Sequence, residues 1–489
     1  MDVSKLKILY LTKQAPKREY TISKEILSDN ENSFVDSCVF SYRNYLDAYE
    51  LNEKEKVFRN IYDFTEFCKT YAEENVNIDD ELYKFELNYN LPVNKILYAD
   101  RLVINYSESH RKQIIYMLVK FSLMLLEKTQ YEVIIGELSS SSDLISYYLS
   151  KHFGIKYLFF WHGRISNKME FSDVLGRRHG LKEFYINYKE NGFSQEEREY
   201  LNKYLEGFKK QTAPDYMKFS RQTKFKNLFR KLYMQNPVIR LKKYMKSYQI
   251  DLKYSADQSP KISEKINKRL KKVVFPIKSL LLKRYYDNVN LNKRYYLTPL
   301  HYQPESSTMT FAPYYLNQLA FIENLAKSIP GGTYIYVKEH PAMFANRKLS
   351  FYRELKKIPN IKLVHPEFSM NALIEKSMGV VTLTNTTGYE AIVKDKPVFV
   401  FGNVFYNEYD YSFKCNNFQE FRDNIITGLR DWDKYQDERI NNRNCFILAC
   451  IRSLRNGNLN SHLLDKTFFK DENIKNIVNS IKDEIIGGQ

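Results

Sequence analysis

The sequence predicts an α/β protein with two doubly wound domains, a basic helical insertion between them and a helical tail. Its 489 residues exceed what one ordinary hydrophobic core holds, so two domains are expected. A strand–helix–strand pattern over 131–161 predicts parallel pairing in the first domain. A series of short apolar runs with helical patterns between them predicts a second parallel sheet over 295–401.

These patterns divide the chain into an N-terminal domain, an insertion, a second domain and a tail, at 1–213, 214–294, 295–430 and 431–489. In the first domain we expect strands at 7–11, 131–136 and 156–161, with a serine run starting a helix after 139. In the second domain we expect strands at 295–297, 333–337, 361–364, 379–383 and 397–401. The insertion has few strand patterns and is expected to be helical.

The composition favours a globular protein made and kept in the cytoplasm. Hydrophobic residues make up 43% of the chain, which excludes global disorder. Its five cysteines are scattered and form no C-x-x-C pair, so a disulfide framework or zinc ribbon is not expected. The N-terminus has no signal-peptide core, and the longest apolar stretch, 117–126, is too short to span a bilayer.

The positive charge of the chain is concentrated in one segment. Residues 218–294 contain 22 Lys and Arg against four Asp and Glu, whereas all other residues together have a net charge of −1. Basic residues mixed with Phe, Leu, Tyr and Met are typical of a membrane-surface element, and each is worth about 1 kcal/mol near an anionic leaflet. Nucleic-acid binding is the rival interpretation, but no nucleic-acid-binding motif accompanies the charge. A merely solvated face is the third.

Two loops of the second domain are candidates for binding an anion. Lys338-Glu339-His340-Pro341 follows a predicted strand, where open α/β sheets bind ligands, and Lys338 and His340 can face a phosphate. Thr384-Asn385-Thr386-Thr387-Gly388 leads from the strand at 379–383 into a predicted helix, whose N-terminus favours anions. Glu390, in the first turn, is placed to accept hydrogen bonds from a ribose. The alternatives are a surface loop with an incidental His and a simple Thr N-cap.

A third loop, Gln303-Pro304-Glu305, follows the first strand of the second domain. Glu305 is a carboxylate that can point into a cleft, or else a solvated turn residue. Asp431-Trp432-Asp433 matches a metal-binding D-x-D, but it lies in a polar helical stretch, so no metal site is expected there.

The order and spacing of these segments, together with Lys396-Pro397-Val398 and Phe401-Gly402, resemble the bacterial capsule polysaccharide biosynthesis proteins. That family includes the β-Kdo transferases and is related more distantly to bacterial sialyltransferases. The resemblance covers about 295–410 well and the first domain loosely, through Glu137 and Gly163-Arg164-Ile165. It implies the GT-B fold, in which two Rossmann-like domains face each other across a cleft.

The resemblance also implies a function. Donors of the family are CMP-activated 2-keto sugar acids, transferred without a metal cofactor to a surface polysaccharide, either a capsule or a lipopolysaccharide. His340 and Pro341 would hold the CMP phosphate. The hydroxyl loop, with Thr384, Thr386, Thr387 and Gly388, would hold the same phosphate. Glu390 would contact the ribose.

Transfer further needs a group that handles the acceptor proton, and Glu137 is the candidate general base or acid/base. Glu305 is the candidate second carboxylate if the reaction retains configuration. Arg164 and Gln303 would hold the carboxylate of the sugar. His162 is an equally plausible core histidine.

Two rival functions remain open from the sequence. One is a UDP-sugar-dependent GT-B transferase or 2-epimerase, because a His-containing loop can serve a UDP pyrophosphate too. The other is a non-enzymatic basic scaffold on a membrane or on RNA. The expected partners are a nucleotide sugar, a glycan or lipid-linked glycan acceptor, and the anionic inner membrane surface through 218–294, with no nucleic acid.

Overall fold

The computed structural model of the chain describes residues 5–13, 15–28, 32–71, 76–101, 103–104, 106–163, 165, 167–210, 250–251, 253–256, 275, 277–459 and 468–487. Contacts divide the chain into two compact units. The first unit contains Met1–Val174, Ala213–Lys261 and Leu454–Gln489. The second unit contains Leu175–Thr212 and Ile262–Ser453.

The first unit is built on a mixed sheet with seven strands among its described residues, in the order β13-β6-β5-β4-β1-β2-β3. The strands are β1 (Lys7–Thr12), β2 (Phe34–Val39), β3 (Phe58–Asp63), β4 (Val133–Gly136), β5 (Lys156–His162), β6 (Lys168–Ser172) and β13 (Arg455–Asn456). The strands from β5 to β3 pair in parallel, whereas β6 and β13 add antiparallel pairs at one edge. Because β1 pairs with both β2 and β4, the chain reverses its direction of winding between β1 and β4.

Helices of the first unit connect these strands. They are α1 (Pro16–Leu27), α2 (Tyr42–Lys54), α3 (Phe64–Thr70), α4 (Ile78–Tyr89), α5 (Val93–Ala99), α6 (Glu108–Lys128) and α7 (Ser141–His152). A capping box formed by Ser140 and Asp143 starts α7, as the serine run after β4 predicts.

The second unit has a parallel sheet of six described strands in the order β12-β11-β10-β7-β8-β9. They are β7 (Tyr295–Pro299), β8 (Tyr334–Lys338), β9 (Ile361–Val364), β10 (Gly379–Thr382), β11 (Val398–Val400) and β12 (Ser412–Lys414). Both faces are covered, since Tyr295 and Leu297 belong to one buried cluster and Tyr296 to another. A parallel sheet buried on both faces is the expected product of strand–helix–strand connections.

Among the described residues, the helices of the second unit include a short stretch before β7, at 277–283. The others are α8 (Leu181–Asn191), α9 (Gln195–Lys210), α10 (Ser306–Phe311), α11 (Gln318–Ser328), α12 (Leu349–Leu355), α13 (Met370–Lys376), α14 (Thr386–Val393), α15 (Phe418–Asp423) and α16 (Gln436–Arg452). A π-helical turn, Asn424–Gly428, follows α15. The tail helix α17 (Asp471–Ile486) belongs to the first unit, where Ile477 and Ile481 enter the core.

The predicted α/β class, with two units that each contain a doubly wound sheet, is confirmed. The unit boundaries differ from those expected, because α8 and α9 group with the second unit rather than with the N-terminal domain. The cause is aromatic packing, since the Tyr185 ring lies 5.4 Å from that of Phe446 in α16. Most of the predicted insertion, 214–294, lies outside the described residues.

Across the part of the chain that the structure describes, no helix combines the length and the apolar character needed to cross a membrane.

Candidate functional site

The second sheet changes its direction of winding between β7 and β10, which are neighbours in the sheet. Strand β8 pairs with the other side of β7. All three strands are parallel, so the loops that follow them leave from the same edge of the sheet, the usual ligand-binding place in such folds. The Lys338, Thr384 and Gln303 loops predicted from the sequence are these three loops.

The loop after β8 is fixed by a buried carboxylate, Glu339. Its Oε1 accepts hydrogen bonds from the backbone N–H of His340 at 2.9 Å and from Nε of Arg347 at 3.2 Å. Its Oε2 accepts one from the Tyr352 hydroxyl at 2.8 Å. Arg347 also donates to the backbone oxygen of His301 at 2.6 Å, so one guanidinium ties the loop after β8 to the loop after β7. This hydrogen-bond network fixes the backbone position of His340, from which its side chain extends.

His340 is held as a neutral imidazole with a defined tautomer. Its Nδ1 accepts a hydrogen bond from the backbone N–H of Ala342 at 3.2 Å, which assigns the ring proton to Nε2. Burial lowers the pKa of His340, and the charges of Arg347 and Lys338 lower it further. Pro341 begins a short 3₁₀ turn after this histidine. The Nε2–H group is therefore a hydrogen-bond donor at neutral pH.

Lys338, the last residue of β8, is buried and donates from Nζ to the backbone oxygen of Pro366 at 2.7 Å. Burial lowers its pKa to about 8, against the charges of Glu339 and Glu390, which favour the ammonium form. Because β8 and β10 flank β7 in one parallel sheet, the end of β8 and the loop that leads into α14 lie at the same edge of the sheet. A desolvated ammonium at this edge attracts an anion more strongly than one in water.

The hydroxyl loop after β10 begins α14, and Asn385 is its N-cap. The Asn385 Oδ1 accepts hydrogen bonds from the Thr387 backbone N–H at 3.0 Å and from the Thr387 hydroxyl at 2.9 Å. Thr384 donates its hydroxyl to the backbone oxygen of Ser307 at 3.3 Å. The Thr386 hydroxyl has two acceptors, Oδ1 of Asn385 at 3.4 Å and Oε1 of Glu390 at 3.5 Å. All three of the predicted phosphate-binding hydroxyls therefore already donate within the unit.

Gly388 packs closely against an aromatic ring. A Cβ at this position would lie 2.6 Å from the ring of Tyr406. The Tyr406 hydroxyl donates to the backbone oxygen of Asn385 at 2.7 Å, so the ring braces the start of α14. The glycine is required because a buried ring crosses the helix directly against its backbone.

The loop after β7 lies close to the His340 loop, because the rings of Tyr302 and His340 are 6.0 Å apart. Gln303 donates from Nε2 to the backbone oxygen of Leu316 at 2.8 Å, which leaves its second amide hydrogen for other partners. The peptide bond between Gln303 and Pro304 is cis. Glu305, half-buried, precedes α10 as its N-terminal flanking residue.

His301 is a residue of this edge to which the sequence assigned no role. Its side chain is 4% exposed and lines a small cavity with Thr298, Gln318 and Thr382. Burial lowers its pKa to about 3, with further contributions from His340 and Arg347, so the ring is neutral. Within the described residues, its Nε2 has no hydrogen-bond partner. The signal for His301 was present in the sequence, two residues after a strand end.

In the first unit, Glu137 directly follows β4 at the carboxyl edge of that sheet. Its Oε1 lies 3.4 Å from Nη2 of Arg18, and its Oε2 accepts a hydrogen bond from the Ser139 hydroxyl at 3.1 Å. Burial raises the pKa of Glu137, but Arg18, Lys13 and Ser139 together outweigh it, so the pKa is lowered. Glu137 is therefore ionised at neutral pH and able to accept a proton.

A buried ion pair supports the same edge. Lys13, just after β1, lies 2.5 Å from Oδ2 of Asp143 in the first turn of α7. The Arg18 guanidinium also binds Glu19 at 2.7 Å. Neither Lys13 nor Arg18 was predicted from the sequence as a site residue. Each follows β1 and contacts a residue that follows β4, and these two strands are neighbours in the sheet but more than 100 residues apart in the chain. Arg164, predicted to bind the sugar carboxylate, lies outside the described residues.

Comparisons with known proteins point to one family. Residues 215–412 match the sequence profile of the family described as "Capsule polysaccharide biosynthesis protein". The "Capsule polysaccharide export protein KpsS" of Escherichia coli is 28% identical over 130 residues, which are 24% of this chain. The match spans 32% of that relative's length.

Solved structures with low overall similarity include the "beta Kdo 2,4 transferase" KpsC of Thermosulfurimonas dismutans. It is 13% identical, with a TM-score of 0.35, over 72% of this chain and 87% of the other. A UDP-GlcNAc 2-epimerase from Neisseria meningitidis is 12% identical, with a TM-score of 0.24, over 91% of this chain and 98% of the other. The resemblance predicted from the sequence, to the bacterial capsule polysaccharide biosynthesis proteins, is confirmed by the family profile over residues 215–412.

Proposed function

We propose that this chain is a glycosyltransferase of capsule polysaccharide biosynthesis. It moves a 2-keto sugar acid, either Kdo or a nonulosonic acid such as pseudaminic acid, from a CMP-activated donor to a capsule or lipopolysaccharide glycan. The observation that carries the proposal is the position of Lys338, His340 and the N-terminus of α14, which all follow strand ends at one edge of the second sheet. These groups supply a positive charge, a fixed N–H donor and a helix dipole, which together suit a phosphate.

Lys338 and His340 are the main phosphate ligands in this proposal. Lys338 ends β8, and His340 begins the loop that Glu339 and Arg347 fix by hydrogen bonds. Thr384, Thr386 and Thr387 already donate within the unit, so they contribute less directly, through the position of α14. All of these groups stabilise the negative charge that grows on the departing CMP as its bond to the sugar breaks, which is the role a metal plays in other transferases.

The chemical step is the attack of an acceptor hydroxyl oxygen on the anomeric carbon of the donor. The bond between that carbon and the CMP phosphate oxygen breaks, CMP leaves with the electron pair, and Glu137 accepts the acceptor's proton. Because its pKa is lowered, Glu137 is ionised at neutral pH, which is the protonation state that a base requires and a proton donor lacks. Glu305 acts as a second carboxylate if configuration is retained, with Gln303 and Arg164 on the sugar carboxylate.

Thermal shifts with nucleotides test the donor site first. CMP is expected to raise the melting temperature of the wild-type protein and to raise that of His340→Ala much less. Glu137→Gln is the matched control, because it lies in the other unit and should keep the CMP shift. A shift with UDP that exceeds the one with CMP would favour a UDP-sugar transferase or 2-epimerase. Shifts with neither nucleotide would contradict both.

The place of action proposed with this function is the cytoplasmic face of the inner membrane. The reasons are the concentration of positive charge in 218–294 and an acceptor that is itself attached to lipid.

A further inference from the structure

A helical stretch of the second unit, 277–283, exposes large aliphatic side chains. Ile277 is 66% exposed, Leu280 68% and Leu281 40%. The stretch is nevertheless anchored, because Leu282 is fully buried in the core cluster against which Tyr285 and Tyr286 pack. Three exposed aliphatics on an anchored helix are costly in water, so they indicate a surface that meets something apolar.

The exposed residues, Ile277, Leu280 and Leu281, form one face, which we call the aliphatic ridge. At 100° per residue their directions fall within about 100° of the helix circumference. Lys278 lies on one side of the ridge and Lys283 on the other by the same spacing. An apolar centre with an ammonium group on either side is the arrangement of helices that lie in the interface of a lipid bilayer.

We propose that the aliphatic ridge inserts into the interfacial layer of an anionic lipid bilayer, with Lys278 and Lys283 at the headgroups. An anionic membrane is the expected partner on grounds of charge, because the ridge lies within 218–294, the segment that carries the whole net positive charge of the chain. The long stems of Lys and Arg can lie along the acyl boundary while their charges reach the phosphates. The inference names the element responsible for the attachment proposed above and does not depend on the transfer reaction.

A protein partner fits this surface less well. The centres of protein interfaces are enriched in aromatic residues, Met and Arg, and are depleted of Lys. The ridge has the opposite composition, with aliphatic residues in the middle and lysines at both edges. Of the described aromatic residues beside the stretch, Tyr285 packs against the core, and the ring of Phe275 lies 6.0 Å from that of Phe344.

Vesicle flotation of the full-length protein tests the proposal. Wild type is expected to float with vesicles of phosphatidylcholine and phosphatidylserine, and not with phosphatidylcholine alone. The double variant Ile277→Gln/Leu280→Gln should lower the partition coefficient about tenfold or more, since two partly inserted aliphatics are lost. Ile426→Gln is the matched control, because Ile426 is 47% exposed elsewhere on the same unit and should have no effect.

A second measurement covers the case of a variant that folds poorly. Leu280→Trp places a fluorophore on the ridge, and its emission should shift to the blue when anionic vesicles are added. The CMP thermal shift of each variant, measured in parallel, reports on the donor site and keeps the two proposals separable. The proposal is overturned if the wild type does not bind anionic vesicles, if the double variant binds as well as the wild type, or if the emission of the Leu280→Trp variant does not move.

Discussion

Lys338 combines the two properties that an anion-binding lysine needs, a buried position and a charge that responds to its ligand. Burial lowers its pKa to about 8, so the free protein loses this charge at mildly alkaline pH. A bound phosphate favours the ammonium form and raises the pKa in the complex. The free protein must therefore take up a proton on binding when the pH is above 8.

CMP affinity should consequently fall as the pH rises above about 8, by up to about tenfold per pH unit until the pKa of the complex is reached. Calorimetric titration at a series of pH values measures this. Lys338→Arg, which stays charged, should lose the dependence while still binding CMP. A wild-type affinity that is constant from pH 7 to pH 10 would show that this ammonium does not bind the nucleotide.

Arg18 is a positioning residue for Glu137. Its guanidinium lies 3.4 Å from the Glu137 carboxylate and helps to hold the pKa of Glu137 below its usual value despite burial. If Glu137 is the base, activity is lost as the pH falls and the carboxylate is protonated. Removal of the Arg18 charge raises the pKa of Glu137, so protonation begins at a higher pH.

Arg18→Gln should therefore move the acid limb of the pH–rate profile for transfer to higher pH, and Arg18→Lys should move it less. The limb, rather than the maximal rate alone, is the diagnostic readout, since a general loss of structure lowers rate at every pH. An unshifted limb in Arg18→Gln would mean that Glu137 does not titrate in the reaction.

At the scale of elements, the start of α14 is held by packing as well as by its cap. Tyr406 is fully buried, and its ring lies where a Cβ of residue 388 would be. Gly388→Ala should destabilise the second unit by about 1–3 kcal/mol, because the ring has no room to move. Tyr406→Phe keeps the ring and loses only the hydrogen bond to Asn385, at a cost of about 1 kcal/mol.

Gly207→Ala is the matched control for this prediction. It lies inside α9 with nothing within 4 Å of its added Cβ, so it should stabilise by roughly 0.5–1 kcal/mol through helix propensity. Denaturant unfolding of the three variants measures the differences. Equal stability of Gly388→Ala and the wild type would mean that Tyr406 does not brace the helix.

The strands that the sequence predicts are those with mostly apolar or aromatic residues, such as β4 and β8. Strands β2 and β3 were not predicted, because polar residues interrupt them. The fully buried Asp36 of β2 is satisfied by Arg59 and Asn60 of β3 and by the Tyr131 hydroxyl, contacts that no local pattern reveals. A buried carboxylate is tolerated when such partners offset its desolvation.

At the scale of the whole molecule, the candidate site is predictable in part. The positions of Lys338, His340 and Glu137 follow from strand ends, because parallel strands deliver the residues after them to one edge. The partners that tune them, Arg347 and Arg18, follow only from the folded sheets. The roles of Gln303, Glu305 and the threonines remain predictions, as does that of Arg164.

The central claim is that a CMP-linked 2-keto sugar acid is the donor. Mass spectrometry of reactions with CMP-Kdo, CMP-pseudaminate, CMP-sialate and a set of UDP-sugars tests it most directly. The account predicts release of CMP from at least one of the three CMP donors, abolished in His340→Ala and at least about 100-fold slower in Glu137→Gln. Turnover of a UDP-sugar alone, or of none of these donors together with no binding of CMP, would contradict it.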